Sequence, residues 1–303
     1  MSPDVLCIGH AAYDILLYLE RFPIEDSKSE TAVSLESGGG PAANAAYLLS
    51  QWGVRCAFAG VVGDDYYGRR ILSELKSVGT DTSLIEVRPG FSTPLSLILV
   101  NQRTGSRTVV NRKVAYEPLR LELAALAGRA PRVLLFDGHE LQASRTALAA
   151  FPNAVTLLDA GSAREGTLAL AGEVTYLLAS ERFATQVTGL PNLANPEFQA
   201  TCLSILRKRF NTNTVVTLGE KGLIVHDGES YDQLPAFAAL PVDTTAAGDI
   251  FHGAFAYGLL NGRPLHETLR LASMAASLSV SSLGGRQSIP PIARVEEALA
   301  HAQ

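Results

Sequence analysis

Short apolar runs alternate with amphipathic stretches along almost the whole chain, and this alternation constrains the fold more than any other feature. Residues 5–9 form an apolar run of strand length, and residues 41–52 have helical spacing and stop at Gly53. Strands that are apolar throughout are typical of a parallel sheet covered by helices on both faces. The sequence therefore predicts an α/β fold. Further strands are predicted at residues 57–62, 132–136, 155–159, 175–178 and 214–218, and a further helix at 67–78.

Two segments depart from this rhythm. Residues 13–35 and 92–112 have the pattern of a β-ribbon rather than of a strand followed by a helix. We expect them to form a separate small sheet that lies as a lid over a site on the main body. The predicted body then consists of residues 1–12, 36–91 and 113–303.

The composition excludes several classes of protein. With 47% apolar and 18% charged residues, the chain has enough apolar side chains for a large core. The net charge is −5 and the nearest approach to a basic run is at residues 207–209, so no nucleic-acid partner is expected. Three widely spaced cysteines fit neither a disulfide framework nor a zinc site, and no apolar stretch is long enough for a membrane span. We expect a cytoplasmic protein.

A turn of small residues near the C-terminus has the strongest chemical pattern. Ala246, Ala247 and Gly248 stand at the start of a predicted helix, and Asp249 lies in its first turn. The first N–H groups of a helix have no intrahelical acceptor and attract an anion. Phosphoryl transfer needs such a cradle beside a carboxylate that orients and deprotonates a hydroxyl. An ordinary capped helix start, with an acidic residue favoured by the helix dipole, is the alternative.

A second glycine run opens the predicted helix at 41–52. Gly39 and Gly40 allow a ligand to approach the backbone, Asn44 lies one turn into the helix, and Asp14 follows the first strand. Carboxylate and amide side chains are suited to pair with adjacent hydroxyls of a polyol. A tight connection with Asp14 as a turn residue is the alternative.

These segments together resemble the ribokinase-like (PfkB) family of carbohydrate kinases. The N-terminal signature of the family is similar to residues 39–44, Gly-Gly-Pro-Ala-Ala-Asn, and to residues 60–68. Its C-terminal signature is similar to residues 243–249, Asp-Thr-Thr-Ala-Ala-Gly-Asp, and its nucleotide-site turn to residues 217–222. The resemblance extends from about residue 5 to residue 290.

The resemblance implies a Rossmann-like αβα sandwich with a small β-sheet lid, and transfer of the γ-phosphate of ATP, with Mg²⁺, to a sugar hydroxyl. It implies that Asp249 is the catalytic base and that the backbone of residues 246–248 is the anion hole. The remaining positions that it implies fall into three groups. The acceptor group is Asp14, Gly39, Gly40, Asn44, His139 and Arg107, of which Arg107 is a lid residue that can also reach the phosphates of the nucleotide. The nucleotide group is Thr217, Gly219, Gly222 and Ser180, and the group for a monovalent cation such as K⁺ is Asp243 and Thr245.

Some segments are similar to ketohexokinases and to sulfofructose kinases, which favours a ketose-like acceptor. Both subgroups have an arginine near the acceptor where this chain has His139. A sulfonate would need the forked guanidinium, so this replacement argues against a sulfosugar.

Two positions depart from the family pattern. Ala246 stands where the first anion-hole glycine is usual, and a methyl group is tolerable there if its φ stays negative, because the anion is bound by N–H groups. The Asn-x-x-Glu motif of the family should fall near residues 180–183, which read Ser-Glu-Arg-Phe here. Glu181 is a candidate substitute.

Histidines add two weaker candidates. His252 follows Asp249 by three residues and fits either a satisfied helix-face residue or a hydrogen-bonding partner near the site. His10 follows the first strand and is a candidate for the border of the acceptor pocket.

Alternatives to a sugar kinase remain. A nucleoside kinase would need aromatic side chains to stack a base, and Tyr18, Phe22 and Phe91 are the candidates. A non-catalytic binding or scaffold homologue is the alternative from another class. The edges of the predicted lid also suggest a homodimer through the lid.

Overall fold

The computed structural model describes residues 3–126, 130–227 and 230–302. Its strands lie in these ranges: β1 (Val5–Ile8), β2 (Ala12–Leu19), β3 (Ser34–Gly39), β4 (Cys56–Gly63), β5 (Asp81–Arg88), β6 (Leu95–Asn101), β7 (Arg107–Arg112), β8 (Val133–Phe136), β9 (Val155–Ala160), β10 (Tyr176–Ser180), β11 (Asn213–Thr217), β12 (Leu223–His226) and β13 (Tyr231–Leu234). Its α-helices lie in these ranges: α1 (Pro41–Gln51), α2 (Tyr66–Ser77), α3 (Leu141–Ala150), α4 (Glu165–Leu170), α5 (Glu181–Thr188), α6 (Pro196–Phe210), α7 (Ala247–Leu260), α8 (Leu265–Ser279) and α9 (Ile292–His301).

Most strands belong to one large sheet. Among the residues that the structure describes, its order is β13-β12-β11-β10-β9-β8-β1-β4-β5. The pairs from β11 to β5 are parallel, and β12 and β13 add an antiparallel edge. This confirms the predicted α/β fold with a mainly parallel sheet.

The core lies on both faces of this sheet. Successive side chains of a strand point to opposite faces. In β1, Val5 and Cys7 accordingly pack in the cluster that contains residues of α1, α7 and α8, whereas Leu6 and Ile8 pack in the cluster that contains residues of α3, α5 and α6. Because both faces are covered, β1, β4 and β8 are buried along their whole length.

A small sheet stands apart from the large one. In the described part of the chain its order is β3-β2-β6-β7, with β2 and β6 parallel. One face buries Leu16, Tyr18, Ile98 and Val100 in a cluster of their own. Strand β3 extends to Gly39, so the glycine run continues this sheet up to the start of α1.

None of the described helices is both long enough and apolar enough to cross a membrane. Cys7, Cys56 and Cys202 are buried free thiols.

Candidate active site

The start of α7 carries the predicted anion cradle. The first intrahelical bond joins the Ile250 N–H to the Ala246 carbonyl across 2.9 Å, which leaves the N–H groups of Gly248 and Asp249 without an intrahelical acceptor. Gly248 is exposed, and a Cβ atom built on it would meet no other element within 4 Å, so the start of the helix is open on this side. The loop can therefore accept an anion at this point.

The condition of a negative φ at Ala246 is not met. Its φ is +60°, and it caps α7 in the left-handed conformation. This turn brings the chain from residue 245 directly into the helix. An alanine in this conformation carries a steric cost of about 1–2 kcal/mol, which a glycine would avoid.

Asp249 is held beside the cradle by the other half of the chain. Asn44 Nδ2 of α1 donates to Asp249 Oδ2 across 2.7 Å. Burial raises the pKa of the Asp249 carboxyl to about 7, and the negative charge of Asp159 adds to this effect, whereas Asn44 and His252 oppose it. A carboxyl with a pKa near neutrality is suited to accept a proton from a hydroxyl.

The glycine run and Asp14 meet as the sequence predicts. Gly40 has a φ of +97°, and a Cβ atom there would lie 2.3 Å from the His10 carbonyl oxygen. A Cβ atom on Gly39 would lie 2.0 Å from Asp14 Oδ2, so only glycine lets the strand pass this carboxylate. Burial raises the pKa of Asp14 to about 6. Glycine is therefore required here for close packing around the candidate acceptor site.

Arg286 is a site residue that the sequence analysis missed. It is 4% exposed, and its Nε donates to Asn44 Oδ1 across 3.1 Å while Nη1 lies 3.0 Å from Glu74 Oε2. A Cβ atom on Gly38 would lie 2.1 Å from Arg286 Nη1. The Gly-Gly-Arg segment at residues 284–286 is the sequence signal that could have identified it, because glycines allow other groups to approach the backbone closely.

His139 lies beside a cation. Its Nε2 contacts Arg164 Nη1, and its ring stacks on that of His10 with centroids 4.4 Å apart. Arg164 Nη2 also donates to the Asp137 carbonyl, and burial lowers the pKa of both histidines to about 3. The lack of an arginine at position 139 therefore does not leave this region without a guanidinium.

The predicted nucleotide positions lie next to the anion cradle. A cavity of about 140 Å³ is lined by Thr217, Gly219 and Gly222 on one side and by Ala247 and Gly248 on the other. The structure thus joins the nucleotide turn and the start of α7 in one cavity.

Ser180 and Glu181 have structural partners. The Ser180 hydroxyl caps α5 by accepting from the Phe183 N–H, and it donates to the Gly161 carbonyl. Glu181 Oε1 accepts from the Leu193 N–H and lies 3.8 Å from Lys221 Nζ. Neither side chain lines the cavity at the start of α7.

The small sheet contacts the anion loop. Arg107 Nη1 donates to the carbonyl and the hydroxyl of Thr244 at 2.8 and 2.7 Å. The Tyr18 hydroxyl donates to Asp243 Oδ2 across 2.7 Å, and Asp243 Oδ1 accepts from the Thr245 N–H. The loop before α7 is therefore held from the side of the small sheet.

A larger groove lies elsewhere. It has a volume of about 1200 Å³ and is lined by residues of β5, by residues 89–91 and by residues 114–120 and 122. Of the candidate residues from the sequence, only Phe91, proposed to stack a base, is among this lining. In the described parts of the chain, no group of three or more His, Cys, Asp or Glu residues is arranged to hold a metal ion.

Comparisons with known proteins agree with this geometry. The profile of the pfkB family of carbohydrate kinases matches residues 2–292. The ribokinase of Lactococcus lactis is 28% identical over 304 residues, which cover 97% of this chain and 96% of that protein.

Two solved structures have the same fold over nearly the whole chain. A protein of Agrobacterium tumefaciens that has been provisionally named a ribokinase is 31% identical to this chain, with a TM-score of 0.89. The match covers 99% of this chain and 98% of that protein. The ribokinase of Arabidopsis thaliana in complex with ribose and ATP is 25% identical, with a TM-score of 0.83 and coverage of 99% of each chain.

Proposed function

This chain belongs to the pfkB family of carbohydrate kinases, and from that premise we propose that it transfers the γ-phosphate of ATP to a hydroxyl of a sugar, with Asp249 as the general base. Its ribokinase relatives identify it as an ATP-dependent carbohydrate kinase. The class of sugar that it phosphorylates and the roles of its individual residues are proposed from the site.

One arrangement supports the proposal most directly. Ala247 and Gly248 at the start of α7 line the same cavity as Thr217 and Gly219, and the next residue, Asp249, is hydrogen-bonded to Asn44 on the side of the candidate acceptor site. A phosphoryl group at this point would have its leaving nucleotide on one side and the attacking hydroxyl on the other. The cradle stabilises the charge of the transferring group while Asp249 takes the hydroxyl proton.

For the acceptor we propose a ketose-like or ribose-like sugar held by Asp14, Asn44 and the backbone at Gly39 and Gly40. The Arabidopsis ribokinase binds ribose and ATP, which supports a sugar of this size. Arg164 beside His139 favours, as a second candidate, a sugar that carries an acidic group. A nucleoside is less favoured, because the Tyr18 ring is buried in the small sheet and its hydroxyl is bonded to Asp243.

The nucleotide would bind as its Mg²⁺ complex. A monovalent cation also fits beside the anion hole: the Asp243 carboxylate is buried, and Thr245 Oγ1 is buried with no hydrogen-bond partner in the described chain. Asp243 and Thr245 would hold it, and it would supply positive charge to the loop that binds the phosphoryl group.

We propose that the small sheet acts as the lid and also pairs two copies of the chain. Ile15, Leu97 and Val110 lie opposite one another on neighbouring strands and therefore share a face, on which Leu97 and Val110 are exposed. An apolar face of this kind fits a second copy of the same lid.

The test is ATP consumption with Mg²⁺ over a panel of ketoses, pentoses, acidic sugars and nucleosides, in K⁺ and in tetramethylammonium buffers. We expect turnover with one sugar class, faster in K⁺, and a loss of about 10²–10⁴-fold in folded Asp249→Asn. Turnover of Asp249→Asn close to that of the wild type would disprove the role of Asp249. No turnover with any acceptor, in protein that binds ATP, would favour a non-catalytic homologue.

A further inference from the structure

A buried ion pair lies behind the candidate base. His252 follows Asp249 by three residues on α7, so the two side chains are neighbours on the helix surface. His252 Nδ1 lies 2.7 Å from Asp159 Oδ2 at the end of β9, and both side chains are only 7% exposed. Both ring nitrogens, Nδ1 and Nε2, are buried, and neither makes a hydrogen bond of regular geometry within the described residues, so the contact with Asp159 is an ion-pair contact.

The surroundings favour a protonated ring. Burial alone would lower the pKa of His252, but the charges of Asp159 and Asp249 outweigh burial and raise it. The other elements that pack against α7 are α1, α8 and β8. Strand β8 is apolar, α1 contributes the Asn44 amide, and Glu267 and Arg270 of α8 are not buried.

Two carboxylates and one imidazolium therefore lie close together: Asp159 and His252 are buried, and Asp249 is partly buried. Asp159 disfavours the ionised form of Asp249, and His252 favours it. Apart from His252, the cation that acts on Asp249 is Arg107 of the small sheet, whose side chain is bonded to Thr244. His252 is therefore the cation that neutralises Asp159, and it lies on the same helix as the candidate base.

We propose that His252, held as a cation by Asp159, is a positioning residue that keeps Asp249 in its ionised, proton-accepting form. This inference rests on the proposed role of Asp249 as the base. It assigns the imidazole no contact with the substrate. The pair acts through charge, so its effect depends on whether both members are present.

This dependence gives a specific pattern among variants. His252→Asn removes the cation and leaves Asp159 uncompensated, so Asp249 binds a proton more readily. Asp159→Asn combined with His252→Asn removes both charges and leaves two amides of similar size, so Asp249 returns towards its original behaviour. A role in packing alone would make the double variant no better than the single one.

The measurement is the pH profile of kcat/KM for the sugar identified in the panel. We expect the acid limb of His252→Asn to move up by about 1 pH unit or more, since a nearby charge shifts a pKa by about 1–3 units. Activity of about one tenth of the wild type in the acid range should recover in the alkaline range. The double variant should move back towards the wild-type limb. His266→Asn, the same change at an exposed position of α8, is the control.

A second readout needs no activity. In protein with isotope-labelled histidine, the His252 NMR signal, assigned by its loss in His252→Asn, should remain that of a protonated ring to a higher pH than an unperturbed imidazole allows. In Asp159→Asn the ring should lose its proton at a lower pH than in the wild type. A neutral His252 ring at about pH 6, or an acid limb that His252→Asn leaves unchanged, would overturn the proposal. If the wild type phosphorylates no acceptor, the role of Asp249 fails, whereas the NMR titration still decides the charge of His252.

Discussion

Asn44 joins the two halves of the site: its amide nitrogen donates to Asp249 across 2.7 Å, while its amide oxygen accepts from Arg286 Nε across 3.1 Å. Both polar atoms of this side chain are used within the protein. Asn44 is a candidate acceptor-binding residue by its sequence motif, and in this structure it also orients the carboxylate that we propose as the base.

Asn44→Ala should weaken catalysis through Asp249. The hydrogen bond from Asn44 favours the ionised carboxylate, so its loss raises the pKa of Asp249 and moves the acid limb of kcat/KM upwards. A hydrogen bond to a charged group is worth about 1.5–3 kcal/mol, which corresponds to a decrease of about 10–100-fold in kcat/KM at neutral pH. Asn261→Ala, at the exposed C-terminal end of α7, should have no such effect. An unchanged acid limb in Asn44→Ala would contradict this role.

Asp249→Asn should make the protein more stable in alkaline solution. Because burial raises the folded-state pKa of Asp249 to about 7, the stability that the protonated carboxyl contributes is present below its unfolded-state pKa and is lost as the pH rises through about 7. The variant lacks this loss. Its Tm should exceed that of the wild type by about 2 °C or more at about pH 8, and the difference should shrink towards about pH 5. Thermal unfolding across this range measures it, and a lower Tm of the variant at about pH 8 would contradict the prediction.

Ala246 should accept glycine but not valine. Glycine adopts a φ of +60° without steric cost, so Ala246→Gly should fold with similar stability and keep its activity within a factor of about two. A β-branched residue is strongly disfavoured there, so Ala246→Val should displace the loop and the N–H groups of α7. Loss of one such donor costs about 10²–10³-fold in kcat. Steady-state kinetics with both variants decide the point, and full activity of the valine variant would show that the turn is not needed.

Arg164→Gln should separate the two acceptor classes. The guanidinium contacts His139, and its Nε is buried with no hydrogen-bond partner in the described chain. For a sugar with an acidic group, the variant should raise the acceptor KM by about tenfold or more and leave the KM of ATP unchanged, because a charge-assisted bond is lost. Arg182→Gln, at an exposed position of α5, is the matched control. Equal effects of Arg164→Gln on acidic and neutral sugars would contradict an acidic acceptor.

The sequence predicted the parts of the site that short motifs encode. The turn at Gly248 and Asp249, the glycines at 39 and 40 and the nucleotide turn at Thr217 have local backbone requirements, so a motif is enough to find them. Arg286, Arg164 and Asp159 were missed because their roles depend on partners far away in the chain. The conformation of Ala246 could not be predicted, since the steric preference of alanine does not decide a turn that the surrounding contacts impose.

The contacts that assemble the site also have a consequence for the order of folding. Asn44 and Asp249 are separated by 205 residues, Tyr18 and Asp243 by 225, and Asn44 and Arg286 by 242. Contacts at such separation form slowly, because a long loop must close before they contribute. On the ribosome, the N-terminal glycine run must wait until the chain has been synthesised as far as residue 286 before all its partners are present. A nascent chain that ends before residue 246 lacks both the cradle and the carboxylate, so it cannot turn over ATP by this site.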